Sequence, residues 1–155
     1  CSVEPPSPVK ALCVDPVQGV MYAGTEDGSL HRLELKEKRE KKAKKDQKDG
    51  GWALSAEEVA KFAGRKAAIR ALAWDAPSGS LLAGLANGDI LQWSPGAEEQ
   101  RFQRFHQKAV RSLSFGFFGT PLLLSADDSG SLCVWDTVDR APLWGLRGLD
   151  KSSLV

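Results

Sequence analysis

Between residues 106 and 136 the chain reads HQKAVRSLSFGFFGTPLLLSADDSGSLCVWD, and its apolar positions fall into three short groups. The first is an alternation on Val110, Leu113 and Phe115. A Gly119-Thr120-Pro121 turn separates it from the apolar run 122–124. A second turn at Asp127-Asp128-Ser129-Gly130 leads to Val134-Trp135-Asp136. Short apolar groups bounded by Gly, Pro, Asp and Ser predict three strands joined by two tight turns.

The same pattern occurs twice more. Residues 69–95, IRALAWDAPSGSLLAGLANGDILQWSP, align with it at an offset of 41 before the first turn and 42 after it. Residues 9–35, VKALCVDPVQGVMYAGTEDGSLHRLEL, align with the second copy at a constant offset of 60. Val9, Ile69 and Val110 share one column, and Leu12, Leu72 and Leu113 share another. Gly28, Gly88 and Gly130 form a third, where a tight hairpin turn asks for a positive φ.

A period of about 40 residues, with an apolar strand after a His and a closing Trp-Asp, resembles the repeats of WD40 β-propellers, each a four-stranded blade. The resemblance implies an all-β fold: a partial WD40-type propeller of about three four-stranded blades with one Lys-rich loop insertion. The expected bounds are about 9–63 for blade 1, including an insertion at 36–57, then about 69–105 for blade 2 and 110–147 for blade 3. It also implies a hydrogen-bonded tetrad in the third copy, at His106, Ser125, Asp128 and Trp135, stapling three strands with every polar group satisfied. Phe105 stands where the family usually has Gly. The second copy has Arg65, Ala83, Ala86 and Trp93 at the tetrad positions, and the first offers only Glu26 at the Asp position. Those two blades are therefore expected to rest on apolar packing. Closed rings have typically four to eight blades. With three copies and no initiator Met, the chain is expected to be part of a longer product and, alone, to self-associate through its open ends.

The stretch between the first two copies is of another kind. Residues 36–49, KEKREKKAKKDQKD, hold seven Lys and one Arg against two Glu and two Asp, a local net of +4 in a chain of +1, so the basic character is confined there. With Ala43 its single apolar residue it has no face to pack, which predicts a solvated loop. After Gly50-Gly51, the spacing of Ser55 and Glu58 matches a helix capping box. Residues 59–62 instead occupy the place of a propeller's outer fourth strand, and the repeat register favours the strand. Matching outer strands are expected at 101–105 and 142–147.

Composition narrows the function classes. At 155 residues, 42% apolar and 26% charged, the chain is ordinary for a globular protein. No apolar run approaches the roughly 18 residues of a membrane helix, and the N-terminus lacks a signal pattern. Cys1, Cys13 and Cys133 are isolated, and His31 and His106 have no partners at zinc spacing, so no metal or cofactor is expected and a reducing intracellular compartment fits. Trp74, Trp93 and Trp135 fall in strand columns and predict core packing. Phosphate-loop and nucleophile-elbow motifs do not occur, and Cys133 with His106 falls in structural columns, so no catalytic residues are expected.

The remaining expectation is a protein-binding scaffold, as resemblance to WD40 propellers implies. Lys10, Arg70 and Arg111 each follow the first apolar residue of an inner strand, and such a column favours an acidic partner, unless it is simply solubilising charge. Trp52, in a polar loop, is a further candidate contact. Lys38, Arg39, Lys41, Lys42, Lys44 and Lys45 are candidates for nuclear localisation or non-specific phosphate contact. Residues 7–93, with VKALCVDP, YAGTEDG, the closing LEL and the charged insertion, also resemble the WD-repeat subunit of Ipi/Rix-type complexes that mature the large ribosomal subunit. That likeness implies a nuclear or nucleolar factor among other proteins, with nucleic acid met only indirectly. The competing role is a cytoplasmic or ciliary scaffold in signalling, trafficking or ubiquitin ligation.

Overall fold

The computed structural model describes residues 7–37, 51–62, 67–116 and 120–148, and these form twelve strands. They make three four-stranded antiparallel sheets, each in chain order. Blade 1 holds β1 (Val9–Asp15), β2 (Val20–Thr25), β3 (Ser29–Glu37) and β4 (Trp52–Lys61). Blade 2 holds β5 (Ile69–Asp75), β6 (Ser80–Leu85), β7 (Ile90–Trp93) and β8 (Gln100–Arg101). Blade 3 holds β9 (Val110–Phe115), β10 (Leu122–Asp127), β11 (Leu132–Asp136) and β12 (Ala141–Leu146). The inner strands β1, β5 and β9 stand side by side. Among the described residues no helix is long and apolar enough to cross a membrane.

The outer strands depart from expectation in two places. The insertion is shorter than 36–57, because Lys36 and Glu37 pair with Ala53 and Trp52 in a hairpin that outruns the other strands of its sheet. Ser55 and Glu58 lie within β4, opposite Glu34 and His31, so the capping-box spacing makes no helix. In blade 2 the outer strand is only Gln100–Arg101 rather than 101–105. Phe102 ends the pairing, its N–H donating to Ile90 O at 3.0 Å while its ring is buried between blades, edge-on to Trp135 at 5.5 Å.

Small residues set how the blades approach. The Cβ that Gly24 lacks would overlap the Ile69 side chain of blade 2, and one on Gly84 would lie 2.6 Å from Val110 Cγ1 of blade 3. These glycines let the first residue of the following inner strand bury completely. The turn glycines Gly28, Gly88 and Gly130 take φ of 83°, 89° and 79°, each donating its N–H three residues back to Thr25, Leu85 or Asp127.

Two apolar cores result. Tyr22, Leu30, Leu81, Leu91 and Trp93 fill the space between blades 1 and 2, with Tyr22 stacked on Trp74 at 5.7 Å. Leu82, Ile90, Phe102, Leu123, Cys133 and Trp135 fill that between blades 2 and 3. Each fully buried side chain of this size contributes roughly 1.5–3 kcal/mol. The columns also show where burial stops. Leu82 and Ile90 are covered by blade 3, whereas their counterparts Leu124 and Leu132 are 43% and 40% exposed. With Trp144 and Leu146 they leave an open apolar face on blade 3, as Leu12, Val14 and Leu35 do on blade 1.

Candidate functional site

The third blade carries a continuous buried chain of hydrogen bonds. Trp135 Nε1–H donates to Ser125 Oγ at 2.7 Å, and Ser125 Oγ lies 2.5 Å from His106 Nε2. His106 Nδ1 lies 3.0 Å from Asp127 Oδ2. Because the carboxylate only accepts, Nδ1 carries the proton and Nε2 accepts from the Ser125 hydroxyl. Burial pushes the His106 pKa down, partly offset by Asp127, so the ring is neutral at pH 7. Burial would raise the Asp127 carboxyl, but donors from Ser129, Ser131 and His106 outweigh it and hold the group below the usual range.

Three of the four expected tetrad residues are thus brought together, and the fourth is corrected. Asp128 points away from His106 and pairs with Arg111 at the surface. Asp127 takes its place because it ends β10 on the buried side of the sheet and also accepts from Ser129 N and Ser131 N across the turn. The column equivalent in blade 1 is therefore Thr25 rather than Glu26. The fully buried Thr25 hydroxyl bonds Asp27 at 2.5 Å and the Ser29 carbonyl at 2.9 Å. Phe105, where the family's pattern has Gly, packs its ring on β12 where Gly145 has no side chain, with the Arg147 guanidinium 4.8 Å above it.

Ser125, His106 and Asp127 are ordered like a nucleophile, base and orienting carboxylate, but the arrangement does not suit that chemistry. All three are buried, and Ser125 Oγ, which attacks in such a triad, is already held by the Trp135 indole. It reads as a strand staple. Burial raises the Cys133 thiol to about 12, so it stays protonated and unreactive. Among the described residues no cluster of His, Cys, Asp and Glu could hold a metal ion.

The expected cation column is more informative in three dimensions. Each inner strand is bulged at its second residue. Val9 and Ala11 pair with the adjacent Thr25 and Gly24, Ile69 and Ala71 with Leu85 and Gly84, and Val110 and Ser112 with Asp127 and Ala126. Lys10, Arg70 and Arg111 are the extra residues, and a bulge re-aims the side chain it carries. All three are exposed, each at the bulged start of its inner strand, the end here called the upper face. A shallow depression there is lined from all three inner strands by Ala11, Leu12, Arg70, Leu72, Arg111 and Leu113.

Two of these cations are matched within their own blade. Lys10 Nζ lies 3.8 Å from Glu26 Oε2, and Arg111 is paired with Asp128. Sequence reading missed these acids as partners, although Glu26 and Asp128 share a column. Trp52 is 63% exposed but sits at the far end of the β3–β4 hairpin. At about 3.3 Å per residue, the length of β3 puts it roughly 25 Å from the turn at Ser29, so the structure does not group it with the cations. Lys38, Arg39, Lys41, Lys42, Lys44 and Lys45 lie outside the described residues. A buried acid not expected from sequence, Asp89, faces Arg101 at 3.5 Å and Arg104 at 3.9 Å, tying the β6–β7 turn to the segment leading into blade 3.

Comparison with known proteins agrees with this architecture. Residues 98–136 match the family model "WD domain, G-beta repeat", the stretch that contains the polar staple. No curated protein matches the chain in sequence. Among solved structures, the WD40 repeats of RRP9 superpose with a TM-score of 0.66 at 21% identity, covering 94% of this chain and 40% of that one. The C-terminal WD40 domain of Sif2 gives 0.67 at 15% identity, covering 91% and 37%. The WD40 β-propeller domain of Doa1 gives 0.62 at 18% identity, covering 92% and 41%. The chain therefore spans about two fifths of the solved chains it resembles.

Proposed function

We propose that this chain, a three-bladed stretch of a WD40-type β-propeller, is a non-catalytic scaffold that binds other proteins on its upper face, within a multiprotein complex. The observation that carries this reading is the repeated bulge, which places one cation per blade at the start of its inner strand on a three-sheet frame, with Arg70 and Arg111 lining a single depression. Rigid elements that hold loops and exposed charges in fixed positions are what a docking surface needs. The buried staple, with its nucleophilic oxygen occupied, supports the non-catalytic side of the reading.

At finer grain, the resemblance of residues 7–93 to the Ipi/Rix-type WD-repeat subunit and the +4 segment at 36–49 favour a nuclear role in ribosome biogenesis. A cytoplasmic or ciliary scaffold in signalling, trafficking or ubiquitin ligation is the alternative. Affinity capture of the full-length protein, beside a variant carrying Lys10→Glu, Arg70→Glu and Arg111→Glu, tests both levels. Partners captured by the parent and lost by the variant are expected, and pre-ribosomal particles among them favour the nuclear role. An unchanged set of partners sinks the upper-face assignment, and signalling, ciliary or ligase components remove the ribosomal one.

A further inference from the structure

The upper face repeats one ion-pair geometry three times but completes it only twice. In every blade the residue two places before the bulged cation accepts a hydrogen bond from the same position of the β-turn. Glu26 N donates to Pro8 O at 2.9 Å, Ala86 N to Ala68 O at 2.9 Å, and Asp128 N to Ala109 O at 3.0 Å. The backbone therefore holds Ala86 where it holds Glu26 and Asp128, at a fixed place relative to the bulge. Glu26 serves Lys10 and Asp128 serves Arg111. Blade 2 keeps the bulge and its cation, Arg70, but Ala86 has no carboxylate to give. Arg70 is exposed, with no acid in ion-pair range among the described residues, and it lines the depression shared by the three inner strands.

We propose that Arg70 takes its carboxylate from outside: an Asp or Glu side chain of an extended peptide segment in a protein partner, seated where the blade's own acid would stand. This rests on the scaffold reading and names the chemistry of its partner. The geometry suits one acid rather than a polyanion, because the flanking cations are already neutralised and the depression between them is lined by Leu12, Leu72 and Leu113. The partner segment thus carries a single acidic residue with apolar neighbours. A guanidinium accepts a carboxylate in a bidentate fork, which fixes the segment's register as well as attracting it.

The test is to give blade 2 its own acid. A fluorescein-labelled dodecapeptide with one central Glu flanked by Leu and Ala is titrated with the full chain, and binding is read by fluorescence anisotropy. The controls are the same peptide with Gln for Glu and the same titration at high salt. Ala86→Asp, at a turn position that already accepts Asp in blade 3, is expected to weaken binding at least tenfold with an unchanged melting curve. Arg70→Ala does the same, while Lys36→Ala, paired with Glu34 toward the far end of β3 and away from this surface, stays within about twofold. Equal binding by Ala86→Asp and the parent, equal binding of the Gln peptide, or a loss in Lys36→Ala as large as that in Arg70→Ala overturns the proposal. If upper-face partners from affinity capture persist in Ala86→Asp, the acid assignment fails alone. If the charge-reversed triple variant also keeps them, the upper-face reading fails with it.

Discussion

Blades 2 and 3 are built on the same frame and held by different chemistry. At the positions where blade 3 has Ser125, Cys133 and Trp135, blade 2 has Ala83, Leu91 and Trp93, and all six are buried. The turns, the bulges and the small residue in the middle strand are common to both. The frame therefore belongs to backbone requirements, met by Gly84 and Gly88 in one blade and by Ala126 and Gly130 in the other. What fills the space behind the frame is exchangeable. A satisfied polar network and an apolar filling of similar volume can hold equally well, but only the network is directional and sensitive to protonation.

The largest effect should come from the apolar side. Leu91→Ala removes a fully buried side chain from the core between blades 1 and 2 and leaves a cavity, so a loss of about 2–5 kcal/mol is expected in denaturant unfolding. That loss should not change between pH 5 and 8, since no titrating group is removed. A strongly pH-dependent loss would mean that blade 2 is not the apolar counterpart it appears from its columns.

The staple in blade 3 should give less, and with a different signature. Asp127→Ala strands the His106 Nδ1–H and three turn donors, at a cost on the order of 1–3 kcal/mol. His106→Ala should be strongly non-additive with it, while Asp128→Ala stays within about 0.5 kcal/mol as a surface change. Equal effects at Asp127 and Asp128, or simple additivity with His106, would break the contrast between the blades.

Protonation sharpens the same contrast. His106 is held below its ordinary pKa of about 6.5 by burial, with the positive charge of Arg147 adding to the effect and Asp127 opposing it. The unfolded chain then binds a proton that the folded chain refuses as pH falls below about 6.5. Stability is full above that value and declines beneath it. A further decline follows as pH drops through the carboxylate range, because Asp127 is also depressed in the fold. Replacing His106 with Gln should flatten the first decline and leave the second. An unchanged profile in His106→Gln would place the titrating group elsewhere.

Most of the frame was legible in the sequence because it rests on periodic demands. Turn glycines need positive φ, strands alternate, and three copies keep their columns. The bulges are in the sequence too, although the alternation expected on Val110, Leu113 and Phe115 passes over them: those residues step by three and then by two, as do Val9, Leu12 and Val14. An uninterrupted strand would step by two throughout. What could not be read was which of two adjacent carboxylates turns inward, because a bulge opposite Asp127 shifts the register by one residue and reverses the facing of its neighbour. The ion-pair column was missed for a similar reason. Lys10 and Glu26 are 16 residues apart, and only the bulge and the turn together bring them within reach.

The smallest expected effect lies at a turn where blade 3 departs from the others. In the turn at 15–19 the Asp15 carboxylate accepts Val17 N and Gln18 N, and Gly19 then takes φ 66°. At 136–140 the Asp136 carboxylate accepts Val138 N and Asp139 N in the same way, but the residue that takes the left-handed conformation, at φ 53°, is Arg140. A side chain in that region costs about 1–2 kcal/mol through the clash of Cβ with the following carbonyl. Part of that returns as lost chain entropy if Gly is placed there. Arg140→Gly should therefore stabilise the chain by roughly 0.5 kcal/mol, read as a small rise in the unfolding midpoint with an unchanged denaturant slope. The Arg140 carbonyl, which accepts Gln103 N at 3.0 Å, is kept in the variant, so the tie between blades 2 and 3 survives. A loss of stability instead would show that the Arg140 side chain, which lines the groove between those blades with Asp75, Gln92 and Thr137, holds them together by more than its strain costs.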